Sequence, residues 1–184
     1  MDSSRIIREH LTFRVLLQAM SHPGRVYPLP DFPKDWPIAV GFLGSVMDNE
    51  VGFAVIGDLE LEKSIGLYTG SRRVAPEEAD YLVLGNGHGS EKLTQVKRGS
   101  LEYPDTGATI LYLVEELREG NGDIVLSGPG VDGTASLQIK GLPIAELHRL
   151  RQVNSEFPLG VDAVFLDEHK RIACIPRSSR IGVN

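Results

Sequence analysis

With 184 residues, 41% of them hydrophobic and 24% charged, the chain can fill one core and is short for two, so a single domain over residues 1–184 is expected. A formal charge of -6 without any Lys/Arg stripe excludes an electrostatic nucleic-acid footprint, which needs clustered cations against the phosphates. The longest mostly apolar stretch, 38–47, falls short of a bilayer span, and with the polar start Met1-Asp2-Ser3-Ser4-Arg5 it points to a soluble cytoplasmic protein with no membrane partner.

Residues 5–20 place Ile7, Leu11, Leu16 and Met20 at near-helical spacing, and Ser21-His22-Pro23-Gly24 ends that helix by supplying turn residues and removing an amide donor. Pro28, Pro30, Pro33 and Pro37 enforce extended or turn geometry before a short apolar helix over about 38–47. Asp48-Asn49-Glu50 turns the chain into a strand over 52–56, residues 59–67 are weakly helical, and Tyr81-Leu82-Val83-Leu84 is a short strand that Gly85-Asn86-Gly87-His88-Gly89 ends. Ser90 as N-cap, Glu91 in the first turn, Lys97 and Arg98 against the C-terminal dipole and Gly99 as left-handed cap predict a helix over 90–99. Strands follow over 109–114, 124–126 and 134–139, and Pro143 opens a helix with Ile144, Leu147 and Leu150 on one face. Residues 161–166 and 171–175 form a hairpin around Asp167-Glu168-His169-Lys170. The continuous apolar runs require cover on both sheet faces, so the expected class is α/β, a three-layer domain with helices on both faces of one mixed sheet.

Three segments in the last third punctuate strand ends: Leu126-Ser127-Gly128-Pro129-Gly130, Phe157-Pro158-Leu159-Gly160-Val161-Asp162 and Ile175-Pro176-Arg177-Ser178-Ser179. Glycine and proline there fix backbone shape, so the three together point to one edge or cleft. General catalytic motifs do not match. No segment has P-loop spacing, and the glycines at 85, 87 and 89 misplace the third glycine of a dinucleotide loop; a plain loop is the simpler reading, an anion at the following helix the alternative. His10, His22, His88, His148 and His169 lack paired spacing, and Cys174 has no second cysteine, so neither a metal site nor an internal disulfide is expected. Cys174 lies in the apolar run Ile172-Ala173-Cys174-Ile175 and reads as a buried, inert thiol. Ser127 superficially resembles a nucleophile elbow, but its glycines do not bracket it, so Ser127, Gly128 and Gly130 read first as a tight turn.

Asp162 and Arg177 carry a sharper expectation. With 167–170 as the turn, Asp162 falls opposite Ile175 or Pro176, a diagonal step from Arg177. A carboxylate at the mouth of a strand buried on both faces needs its oxygens satisfied, and an arginine fork does that. The competing use of Arg177 is a substrate phosphate. Arg14 interrupts an apolar helix and is read as solvated or snorkelling.

As a whole, Phe13-Arg14-Val15-Leu16-Leu17-Gln18-Ala19-Met20-Ser21-His22-Pro23-Gly24 resembles the N-terminal signature of the PhnH family of the bacterial carbon-phosphorus lyase system. Thr69-Gly70, Pro104 with Gly107-Ala108-Thr109, Leu126-Ser127-Gly128-Pro129-Gly130-Val131, the segment from Phe157 to Asp162, and Pro176-Arg177 follow in that family's order. The resemblance spans roughly residues 10–180, and its colinearity is more specific than any one motif. His22 replaces other polar residues, Pro129 fills a variable position, and Ser178-Ser179 stand where threonines are usual.

The resemblance implies a fold similar to the pyridoxal-phosphate-dependent transferases without the cofactor, a homodimer, and PhnG, PhnI and PhnJ as partners in the lyase core complex. It also implies a part in turning ATP and methylphosphonate, or another alkylphosphonate, into α-D-ribose 1-methylphosphonate 5-triphosphate, a step associated with PhnG, PhnH, PhnI and PhnL. Carbon–phosphorus cleavage belongs to PhnJ and its iron–sulfur cluster, which this chain's single cysteine cannot hold. Lys34, Lys63, Lys92, Lys97, Lys140 and Lys170 fall in predicted loops, turns or polar helix positions, none a setting for a Schiff base, so no cofactor is expected. The expected role is assembly and positioning with no catalytic residue, and Arg14, Ser127, Gly128, Gly130, Asp162 and Arg177 are the candidate ligand or interface residues. The competing classes are an autonomous degenerate transferase or hydrolase, and a phosphonate- or nucleotide-binding module.

Overall fold

The computed structural model describes residues 3–85 and 91–183. In chain order its elements are α1 (Ser3–Ser21), β1 (Tyr27–Pro28), α2 (Ile38–Leu43), β2 (Gly52–Ile56), α3 (Leu59–Thr69), β3 (Arg72–Arg73), β4 (Tyr81–Leu84), β5 (Thr109–Val114), β6 (Glu116–Ser127), β7 (Ala135–Lys140), α4 (Ile144–Val153), β8 (Asp162–Asp167), β9 (Arg171–Ile175) and β10 (Arg180–Val183), with short 3-10 turns at Glu91–Thr94 and Pro104–Thr106. Seven strands form one mixed sheet in the order β1-β9-β8-β5-β4-β2-β3. Five of them, β3, β2, β4, β5 and β8, run parallel, while β9 turns back along β8 and β1 runs antiparallel to β9.

Side chains of the central strands alternate between two apolar layers, as the pleat requires. Ile110, Tyr112, Ala163, Phe165, Ala173 and Ile175 enter one layer. Leu111, Val164, Leu166, Ile172 and Cys174 enter the other, beneath Ala19 of α1, Phe42 and Leu43 of α2 and Leu61 and Ile65 of α3. Burying a Phe or Leu side chain contributes about 1.5–3 kcal/mol, so both layers are needed to hold strands with no solvent face. The helix over α3 is fixed at both ends: the Asp58 carboxylate accepts from the Leu61 amide at 2.9 Å, and Gly70 closes it in the left-handed region at φ 72°.

Two expectations need correction. Helices lie on both faces of the large sheet but do not cover both by themselves. On one face α4 is joined by a separate antiparallel sheet, β10-β6-β7, whose Leu117, Ile124, Leu126 and Leu137 pack against Tyr112 and Phe165. The reason lies in the polar alternation of β7, which buries only Leu137 and therefore suits a strand with one wet face. The predicted helix over 90–99 is also absent: Ser90 lies outside the described residues, and from Glu91 the chain makes only a 3-10 turn to Thr94. Tertiary pairing takes the rest of that segment. Lys97 reaches the Asp80 carboxylate, its carbonyl accepts from Ala108 at 2.8 Å, and Arg98 bridges Gly107. Gly99 does adopt a positive φ, 76°, as a tight turn against Pro104.

Candidate functional site

The three punctuated segments meet at the amino end of the parallel strands. Ala163 pairs with Ile175 across the hairpin, which sets Asp162 opposite Pro176 and beside Arg177. Asp162 Oδ1 accepts from the Arg177 backbone N at 2.8 Å, and Oδ2 accepts from Nε at 3.1 Å and Nη2 at 2.6 Å. Arg177 Nη1 also donates to the Pro104 carbonyl. With side-chain exposures of 19% and 13%, the carboxylate and guanidinium sit largely out of water, where only filled lone pairs make an ion tolerable. The fork is therefore spent on Asp162 and Pro104.

Close backbone approach builds the surrounding frame. A Cβ on Gly107 would lie 2.5 Å from the Gly160 carbonyl oxygen and 2.7 Å from Arg177 Nη1, so only glycine fits between the strand entrances. The Asn154 side chain ties the end of α4 to β8's entrance by donating to the Val161 carbonyl at 3.0 Å and accepting from its amide at 2.8 Å. The Phe157–Pro158 peptide between them is cis. In the small sheet Ser127 pairs with Arg180, and a Cβ on Gly128 would lie 3.0 Å from the Ser178 carbonyl oxygen. Gly130, at φ 80°, approaches the end of α1 so closely that a Cβ would sit 2.1 Å from the Ser21 carbonyl oxygen. The N-terminal and C-terminal motifs thus join through backbone contacts.

The outcome is a cleft of about 480 Å³ bounded by Pro129, Arg151, Phe157, Ser179 and Arg180, with Arg177 at its inner wall. Not every candidate residue belongs to it. Arg14 stands on the exposed side of α1 and is not among the residues lining this cleft. The Ser127 side chain has no hydrogen bond among the described residues, so no neighbouring base prepares it as a nucleophile. Cys174 is fully buried; desolvation first, and the Asp162 charge second, push its thiol pKa up and keep it protonated.

Sequence reasoning missed the two carboxylates with no exposed surface. Asp167, read only as a turn residue, accepts from the His169 and Arg171 amides at 2.9 Å, from the Leu117 amide at 3.0 Å and from Arg171 Nε at 2.7 Å. Glu146, fully buried on the inner face of α4, accepts from Tyr112 Oη at 3.2 Å and Arg149 Nη1 at 3.0 Å. Burial, and then the Glu146 charge, push the Tyr112 phenol well above its usual range. The signal for Glu146 was its place four residues before Leu150 on the buried face of α4, where a charge requires partners. Among the described residues, no helix is long and apolar enough to cross a membrane.

Comparison with known proteins gives a consistent picture. The family model described as bacterial phosphonate metabolism protein (PhnH) matches residues 3–182. A protein of Stutzerimonas stutzeri named as the C-P lyase subunit protein HtxG is 33% identical over 176 residues, which are 96% of this chain and 87% of that relative. A Rhizobium meliloti protein named α-D-ribose 1-methylphosphonate 5-triphosphate synthase subunit PhnH is 29% identical over 120 residues, 65% of this chain and 59% of that relative.

Proposed function

The chain belongs to the PhnH family of bacterial phosphonate metabolism proteins, and from that premise we propose that it is a subunit of a carbon-phosphorus lyase system acting with others in forming α-D-ribose 1-methylphosphonate 5-triphosphate. In that step a phosphonate oxygen displaces adenine at the ribose C1 of ATP. The reaction needs a held triphosphate, an aligned phosphonate and a polarised glycosidic bond, which several subunits supply together. This chain's part is assembly and positioning, in the cytoplasm, as one domain of the transferase-like type without a cofactor.

The observation that carries the reading is the outer face of α1. Ile6, Ile7, Leu11, Phe13 and Leu17 are 43–60% exposed along one side of the helix, while Thr12 and Ala19 on the opposite side are buried. Large apolar side chains gathered on one exposed helix face mark a surface that another protein covers. A two-fold axis lets such a stripe pack on its own copy, so we assign this face to a homodimer that then joins PhnG, PhnI and PhnJ. Co-expression with those subunits followed by size-exclusion chromatography with light scattering tests the assignment. A stable multi-subunit complex is expected, and Phe13→Glu with Leu17→Glu should yield a folded monomer. A chain that stays free of its partners and turns over substrate alone overturns the reading.

A further inference from the structure

We infer that the cleft between α4 and β10 is an anion site of this chain itself, taking a small organic molecule that carries phosphate or phosphonate groups. The inference goes beyond assembly and holds whether or not partner subunits are bound. Arg151, in the last turn of α4, and Arg180, opening β10, both line the cleft, and neither has an ion pair or hydrogen bond among the described residues. No acidic side chain lines the cleft among the described residues, although the chain as a whole carries a charge of -6. Arg177 is neutralised by Asp162, so the unbalanced charge is that of Arg151 and Arg180.

Guanidinium groups hold tetrahedral oxyanions through paired N–H donors, and two of them match a ligand with two or more negative charges. Ser179 also lines the cleft, but its hydroxyl is shut off from the surface, so the two guanidinium groups carry the site. The favourable meeting of Arg151 with the carboxyl end of α4 accounts for that residue alone; it does not explain Arg180. Phe157, 66% exposed, and Pro129 form an apolar wall, and about 480 Å³ accommodates more than a bare ion. The ligand therefore has an organic body beside its charged groups.

Calorimetric titration of the full chain with pyrophosphate, ATP, methylphosphonate and adenosine tests the site and separates the sources of the anion. Binding of pyrophosphate, ATP or methylphosphonate is expected, and ATP tighter than pyrophosphate would place a nucleoside body against Phe157. Arg151→Gln with Arg180→Gln should weaken that binding by about tenfold or more, whereas Lys63→Gln on exposed α3 should leave it unchanged. Both arginines are exposed and unpaired, so the urea midpoint and the co-elution of the double variant with partner subunits should not move. No binding of the three anions at millimolar concentration, adenosine binding alone, or binding indifferent to the double variant overturns the inference. Because co-elution is read separately, failure of the anion site leaves the assembly reading standing, and the reverse also holds.

Discussion

The β8–β9 hairpin carries an aspartate–arginine pair at each end, Asp162 with Arg177 at its open end and Asp167 with Arg171 at its turn. The residue types are the same, but the carboxylates serve different ends. Asp167 has no exposed side-chain surface and takes three backbone amides, from Leu117, His169 and Arg171, besides its guanidinium. It is a backbone anchor that welds the turn to β6. Asp162 keeps 19% of its side-chain surface and takes one amide, that of Arg177. It is a clamp whose arginine reaches on to Pro104 and so joins three loops. A buried carboxylate is thus defined by who donates to it more than by which cation stands nearest.

The largest effect should come from removing the anchor. Asp167→Ala would leave the buried Leu117 amide, two part-buried amides and a guanidinium without their acceptor and lower unfolding stability by about 4 kcal/mol, read as a fall in the urea midpoint. If that variant loses no more than Asp162→Ala, the distinction between anchor and clamp collapses. Asp162→Ala or Arg177→Ala should lower stability by about 2–3 kcal/mol, reduced by partial exposure, with non-additive coupling in the double variant. The same variants loosen β9, so Cys174, unreactive toward thiol reagents in the native chain, should label measurably faster in them.

At the motif junction, Gly130→Ala should lose about 1–2 kcal/mol, because it forces a side chain into a positive φ and onto the Ser21 carbonyl. An unchanged midpoint would show that the end of α1 yields freely to the added methyl group. The smallest effect is alkaline and concerns Glu146 and its neighbour Tyr112. The folded-state pKa of Tyr112 lies above its unfolded value near 10, so its contribution is complete below that pH and is lost as pH rises toward the folded pKa. Absorbance at about 295 nm should show Tyr112 ionising only with unfolding, and Glu146→Gln, which removes the neighbouring charge, should bring its titration to lower pH.

Some of this was legible in the residues alone. The strands over 52–56, 81–84 and 109–114 form at those bounds because short β-rich apolar runs between turn residues have few alternatives. The meeting of Asp162 with Arg177 was readable from hairpin register, since a period of two leaves a polar residue at a strand mouth only one direction to point. Ser90 to Gly99 bore every local helix signal, yet Lys97 and Arg98 serve Asp80 and Gly107. Asp167 gave no sign beyond a turn residue, because its donors come partly from Leu117, fifty positions away.

What the sequence by itself determined is therefore whatever depends on near neighbours: the strand periods, the stop of α1, the hairpin, and through colinear motifs the family. Tertiary structure alone decided that β6, β7 and β10 form a second sheet, that the glycine-marked segments enclose a basic cleft, and that α1 presents an uncovered apolar face. The physical reason is range. Propensity, capping and pleat act over a few residues, whereas burial, ion pairing and close backbone contact depend on which distant segments the fold brings together.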